Sequence, residues 1–387
     1  VLEKTARPPK ALRAPRGEQP PLSIRRVDAI PVALPLTAPV TMSGITIATA
    51  DNLLVRIEAA DGTVGWGEAA SAPTMTGDTL GGLVAAVRDH LAPLLVGQDA
   101  WQRPALMPTL KRALVGNGGA HSAVEMALLD LAGRASDRPL IDLVARPRRA
   151  SVAPMWLLGN KTTAATVAEA RARAADGIRF FKVKIGVKPL AEEIATTLAV
   201  REALGPKTPI CADANCGLTP AAARRYVQAT RPARLSFVEQ PLPPNDLKGL
   251  KALARGLKVP IGIDEGIHTI ADIEYHARAG AGGVSLKFIK LGGITAALDA
   301  AKLCRRLGLK VNIAAKMAES SIAAAATVAF ACAAPNIDWG VSLTHFYLAE
   351  DIVRRPLPLA DGFVALPKGP GLGIVVDEAA VGRYRVK

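Results

Sequence analysis

The chain has 387 residues, half of them hydrophobic and 21% charged, with a formal net charge of +14. That length allows a large core and two or three domains, and no apolar run approaches the ~20 residues of a membrane span. Aromatics are only 4%, and no zinc-finger or RNP-like pattern is present, so the basic charge reads as a solvated surface; neither nucleic acid nor membrane is expected as a partner.

Residues 1–22 are rich in Pro, Arg and Lys and lack periodicity, so they read as a flexible basic extension. They carry +3 of the net charge and leave +11 on the body. No charged-then-apolar leader opens the sequence, and Cys211, Cys216, Cys304 and Cys332 lack CxxC spacing. Reduced thiols in a cytoplasmic protein are therefore expected. Residues 23–150 read as an α+β domain. Ile24 to Leu34 is strand-like, and Asn52 to Glu58 alternates into an Asp61-Gly62 hairpin turn leading to Val64-Gly65-Trp66-Gly67-Glu68. Helical stretches follow over Leu80–Leu95, Trp101–Leu114 and Ala120–Ala135.

From Ser151 to Glu350 the texture changes to alternating β and α. Strands are expected to begin near Val152, Phe180, Pro209, Ser236, Pro260, Val284, Lys310 and Ile337. Their spacing of roughly 23 to 29 residues is that of one βα unit. Eight such units favour a closed α/β barrel over an open sheet. Residues 351–387 are Pro/Gly-rich with a final β-like stretch, and are expected to return to the first domain.

The chemistry is concentrated at strand ends. Phe180-Phe181-Lys182-Val183-Lys184-Ile185-Gly186 is an apolar run interrupted by two lysines. Residues i and i+2 share a strand face, so Lys182 and Lys184 point into one site. Two buried ammonium groups are costly unless something nearby needs positive charge. The next three strands end in Asp213, Glu239 and Asp264, and the one after them in Lys287. Clustered carboxylates repel unless a cation lies among them, and oxygen-only ligation suits Mg²⁺, with Mn²⁺ as the alternative. A lysine at this depth, beside Lys182 and a divalent cation, is expected to have a depressed pKa and to act as a general base. The acids lie between Lys184 and Lys287 around the barrel. The pattern therefore permits α-proton abstraction from a metal-bound carboxylate through a metal-stabilised enolate.

These motifs resemble the enolase superfamily, in its muconate lactonizing enzyme subgroup (the mandelate racemase/muconate lactonizing enzyme family). The resemblance runs from about Ser23 and rests on Gly65-Trp66-Gly67-Glu68, Phe181 to Gly186, Asp213-Ala214-Asn215, Val238-Glu239-Gln240-Pro241, Asp264-Glu265, Lys287 through Lys290-Leu291-Gly292-Gly293, and Met317-Ala318-Glu319-Ser320-Ser321. It implies a modified TIM barrel, (β/α)7β, with an α+β capping domain, and a homo-oligomer. It also implies that Asp213, Glu239 and Asp264 bind Mg²⁺. Lys184 and Lys287 would be the acid/base pair on opposite faces of the substrate, and Lys182 would tune Lys184. Asn215 and Glu265 would orient these groups, and Glu319 would sit near the substrate.

The reaction within this group is set mainly by the loops over residues 39–47 and 69–79 and by the last barrel strands. The Thr76-Gly77-Asp78 ending of the second loop looks like the epimerase type, but the Asp-x-Asp of dipeptide epimerases is replaced by Trp339-Gly340-Val341-Ser342-Leu343. Tyr347 to Ile352 looks like the cycloisomerase type. A mandelate-racemase-type His–Asp base is disfavoured, because Val311-Asn312-Ile313-Ala314-Ala315 holds no histidine; His90, His121, His268, His276 and His345 are expected in packing or surface roles. Lys316 stands where a small or apolar residue is usual and either faces solvent or contacts an anion. The expected activity is that of an isomerase acting on a small carboxylate: a muconate-type cycloisomerase or an amino-acid-derivative racemase or epimerase. A dehydratase using the same enolate and a catalytically silent binding protein are the alternatives.

Overall fold

The computed structural model describes residues 20–42, 45–159 and 161–387. Most of the expected basic extension, and Gly44 of the first loop, lie outside these residues. Three antiparallel strands, β1 (Ile24–Met42), β2 (Ile45–Ala59) and β3 (Val64–Ala70), form the first sheet in that order. Gly62, at φ +86°, makes the tight turn between β2 and β3. Alternation along β2 then divides two cores. Leu53, Val55 and Ile57 face the capping helices, whereas Leu54 faces the barrel.

The glycines of β3 have a steric reason. A Cβ on Gly65 would lie 2.3 Å from the Ala127 carbonyl, and one on Gly67 would lie 1.9 Å from that of Ala123. Only glycine lets β3 rest directly on the helix Gly118–Ala135. The alternate residues Trp66 and Glu68 are thereby turned toward the barrel, where Trp66 joins the larger core. The expected helix over 80–95 forms in three pieces: Leu80–Ala85, a π-helical Ala86–Leu91, and Ala92–Leu95.

The strands β5 (Pro154–Leu158), β6 (Phe180–Lys184), β7 (Ile210–Asp213), β8 (Val238–Glu239), β9 (Ile261–Ile263), β10 (Gly283–Leu286), β11 (Lys310–Ile313) and β12 (Val341–Ser342) close into a parallel barrel. Seven main helices connect them in chain order, from Thr163–Ala175 to Ser321–Ala333, giving the expected (β/α)7β plan. Near the N-terminal ends of the strands, Phe237 stacks on Trp339 at 4.1 Å, in a cluster with Met155 and Cys211.

Two strand expectations shift. Val152 lies in β4 (Ser151–Val152), which pairs outside the barrel with β13 (Val364–Ala365), so the barrel begins two residues later at Pro154. The last strand begins at Val341 rather than near Ile337. Asp338 instead accepts from the Val311 amide at 3.2 Å, and Gly340 turns at φ +87° before β12 starts. The β-like tail ends in a helix, Glu378–Tyr384, capped by Asp377; beyond it the Val386 amide donates to the Pro31 carbonyl at 3.0 Å. Among the described residues, no helix is long and apolar enough to cross a membrane.

Glu68 joins the two halves. Its buried carboxylate accepts from Asn52 Nδ2 at 2.7 Å, the Ser320 amide at 2.8 Å, Ser320 Oγ at 2.6 Å and the Ala323 amide at 2.9 Å. It thus caps the positive end of the helix Ser321–Ala333. Burial pushes its pKa up to about 7 against the pull of these donors. Glu68→Gln turns one acceptor oxygen into a donor and leaves two donors without an acceptor. It is expected to destabilise the fold by about 2–4 kcal/mol; an unchanged urea midpoint would show that this junction carries no stability.

Candidate active site

Strand ends bring the charged groups together. Asp213 and Glu239 are the last residues of β7 and β8, and Asp264 directly follows β9. Lys184 ends β6 and Lys287 directly follows β10. The barrel register sets Lys184 beside Asp213 and Asp213 beside Glu239. Period-2 geometry turns Lys182 and Lys184 inward, while Val183 packs in the surrounding core. Lys182, Lys184 and Lys287 are 5%, 8% and 5% exposed, so each ammonium needs a partner inside the protein.

Each has one. Lys182 bonds Glu239 and lies 3.8 Å from Asp213. Lys184 donates to Asp213 at 2.6 Å and to Asn215 Oδ1 at 2.5 Å. Asn215 in turn donates to Glu265 at 2.8 Å. Lys287 bonds Asp264 Oδ2, and Lys290 reaches Asp264 Oδ1 at 2.6 Å. Below them, Ser285 Oγ donates to Glu239 at 2.5 Å and accepts from Asn312 at 2.8 Å. Left-handed backbone at Asn215, Cys216, Gln240 and Ala318 gathers at this end of the barrel, where close packing fixes the turns.

The electrostatics follow from these pairs. Burial alone would lower Lys287, but Asp264, Glu265 and Glu239 outweigh it and hold its pKa above the ordinary lysine value. Lys182 is raised likewise, burial being outweighed by Glu239 and Asp213. Burial works against ionisation of Asp264, yet Lys287 and Lys290 hold its carboxyl well below the usual range. Glu239 goes the other way: burial raises it, Lys182 opposes, and the Asp213 and Asp264 carboxylates add to the rise.

That crowding of three hard oxygen donors is the chemistry a divalent cation relieves. The side chains are not arranged around one as they stand. Their oxygens are turned onto lysine ammonium groups, and among the described residues no three acidic, histidine or cysteine side chains converge to hold a metal. The donor set, three carboxylates on neighbouring strand ends, fits a divalent cation by its chemistry.

An inner chamber of about 70 Å³ is lined by Lys182, Lys184, Asp213, Asp264, Lys287 and Lys316, among others. An outer groove of about 640 Å³ runs between the loop over residues 69–79 and the barrel mouth. Met75, Asn215, Lys316 and Met317 line both, so they mark the passage between the two. Glu265 lines the groove alone. Glu319 lines neither. It sits one layer back, where its carboxylate accepts from the Lys316 amide at 2.9 Å and burial pushes it up to about 8. No histidine lines either space. His121, His268, His276 and His345 instead bond backbone carbonyls.

Several site residues carried no weight in the sequence reading. Ser285 lies two residues before Lys287 on one strand face, and Lys290 lies three after it on the next turn, so spacing alone could have found both. Met75, whose Sδ is 3.4 Å from Lys287 Nζ, is 212 residues away and left no local signal. Thr344 and Tyr347 also line the inner chamber.

Two family models match the chain: "Mandelate racemase / muconate lactonizing enzyme, N-terminal domain" over residues 24–145 and "Enolase C-terminal domain-like" over residues 165–380. Muconate cycloisomerase 1-2 of Acinetobacter lwoffii is 32% identical over 94% of this chain and 96% of its own length. L-Ala-D/L-Glu epimerase of Bacillus subtilis (strain 168) is 28% identical over 92% of this chain and 97% of its own length. The structure of muconate lactonizing enzyme from Pseudomonas fluorescens complexed with muconolactone superposes with a TM-score of 0.90 at 29% identity, covering 94% of this chain and 99% of that one.

Proposed function

We propose that this chain, which belongs to the mandelate racemase/muconate lactonizing enzyme family of the enolase superfamily, is an isomerase that removes the α-proton of a small carboxylate. The carrying observation is the placement of Lys184 and Lys287. Both line the inner chamber, on strands that flank the three acid-bearing strands from either side. A carboxylate held over Asp213, Glu239 and Asp264 presents one face of its α-carbon to each lysine. One lysine takes the proton as general base. The other protonates the opposite face, or the enolate closes or opens a ring instead.

Asp213, Glu239 and Asp264 would hold Mg²⁺ or Mn²⁺, which when bound supplies positive charge at the substrate carboxylate. Lys182 neutralises Glu239 and adds positive potential beside Lys184. Asn215 and Glu265 form a hydrogen-bonded chain that fixes the Lys184 ammonium. Met75 covers Lys287 from the capping loop and restricts water there.

Cycloisomerase and epimerase chemistry use the same first step and differ in what the enolate does next. In D₂O with Mg²⁺, the α-proton of muconolactone or of L-Ala-L-Glu is expected to exchange for deuterium, as read by proton NMR. Exchange with inversion identifies an epimerase. Exchange without inversion identifies ring chemistry. If no carboxylate in a panel of lactones, dipeptides and N-acyl amino acids exchanges, the proposal is wrong.

A further inference from the structure

Lys316 differs from the other lysines of the site. Lys182, Lys184, Lys287 and Lys290 each hold a carboxylate. Among the described residues, Lys316 forms no ion pair, and its Nζ has no hydrogen-bond partner. It is half-buried and lines both the inner chamber and the outer groove. Its backbone is fixed from two sides: its amide donates to Glu319 at 2.9 Å, and its carbonyl accepts from Thr344 Oγ1 at 2.7 Å. The turn beyond it is held by Asn52, which donates to the Ala318 carbonyl at 3.1 Å.

An unpaired ammonium at such a place costs stability. Burial, with repulsion from Lys287 and Lys184, pulls its pKa down to about 8. Glu319 offers little relief, because its own carboxyl is pushed up to about 8 and is mostly neutral at pH 7. A side chain held charged against these forces, on a rigid turn and at the passage into the site, has the properties of a binding group awaiting an anion.

We propose that Lys316 binds a second anionic group of the substrate. The substrate is then a dianion, with its reacting carboxylate between Lys184 and Lys287 and its second anion at the passage beside Met75 and Met317. The outer groove is a poorer place for that anion, since Asp51 and Glu265 line it. A free amino group at the passage would be repelled by Lys316, which disfavours substrates with a cationic end. This inference rests on the reading of Lys184 and Lys287 as the reacting pair.

The test is calorimetric binding, in Mg²⁺, of the straight-chain dicarboxylates from succinate to suberate and of the matching monocarboxylates. The best dicarboxylate is expected to bind the native protein about 10- to 100-fold tighter than its monocarboxylate, the worth of one charge-assisted contact. Lys316→Met is expected to abolish that preference by weakening dicarboxylate binding far more than monocarboxylate binding, and Lys316→Arg to retain most of it. Lys316→Gln serves if the methionine variant does not fold. Absence of the preference in the native chain, or its survival in Lys316→Met, overturns the proposal. A Lys316-dependent preference without any α-proton exchange would leave this anion site standing and overturn only the proposed reaction.

Discussion

Lys184→Met and Lys287→Met are each expected to lower turnover about 10²- to 10⁴-fold, the range for loss of a general acid or base. Methionine keeps the apolar stem and removes only the ammonium, so packing is largely preserved. The abandoned carboxylates also keep partners. Asp264 retains Lys290 at 2.6 Å, and Asp213 retains the Asn215 amide at 3.1 Å and Lys182 at 3.8 Å. Melting curves of both variants should therefore stay close to that of the native protein while activity falls. The pattern of loss separates the two chemistries. In an epimerase each lysine serves one configuration, so Lys184→Met should abolish deuterium exchange from one enantiomer and Lys287→Met from the other. In ring chemistry one lysine should account for most of the loss. Full turnover in both variants would rule out the two-lysine site.

Glu239→Leu is expected to destabilise the barrel by about 3–5 kcal/mol, the cost of leaving a buried charge unpaired. Glu239 is fully buried, and its loss leaves Lys182 with only Asp213, at 3.8 Å. Ser285 Oγ loses its acceptor as well. Lys182→Met combined with Glu239→Leu should recover much of that stability, because an apolar pair of similar volume replaces the ions. The double variant should remain inactive, since both groups belong to the proposed site. Urea denaturation of the native, single and double variants completes the cycle. If the single variant is as stable as the native chain, the Lys182–Glu239 pair does not anchor this end of the barrel.

Particular elements show why some of this was legible in the sequence. The barrel strands are short apolar runs, and five neighbouring ones, β6 to β10, end in or directly before a residue whose charge is out of place there. Asp213, Glu239, Asp264, Lys184 and Lys287 were therefore visible, and strand geometry alone brings them to one end of the barrel. The misplaced boundaries have the opposite character. Val152 is as apolar as a barrel strand, yet it pairs with Val364, more than two hundred residues away. Ile337 precedes a segment whose course is set by Asp338 and Gly340. The final helix over Glu378–Tyr384 is short and weakly periodic, and its cap, Asp377, is the stronger signal.

The sequence by itself determined the barrel, the capping unit and the set of paired charges, because these depend on local periodicity and on the order of strands. Only the tertiary structure decided the surroundings of those charges. It placed Glu319 behind the turn that carries Lys316, Met75 against Lys287, and Lys316 unpaired at the passage between the two spaces. The physical reason is common to all three. Burial and the sign of nearby charge depend on which side chains from distant segments share a few ångströms, and neither spacing nor composition records that distance.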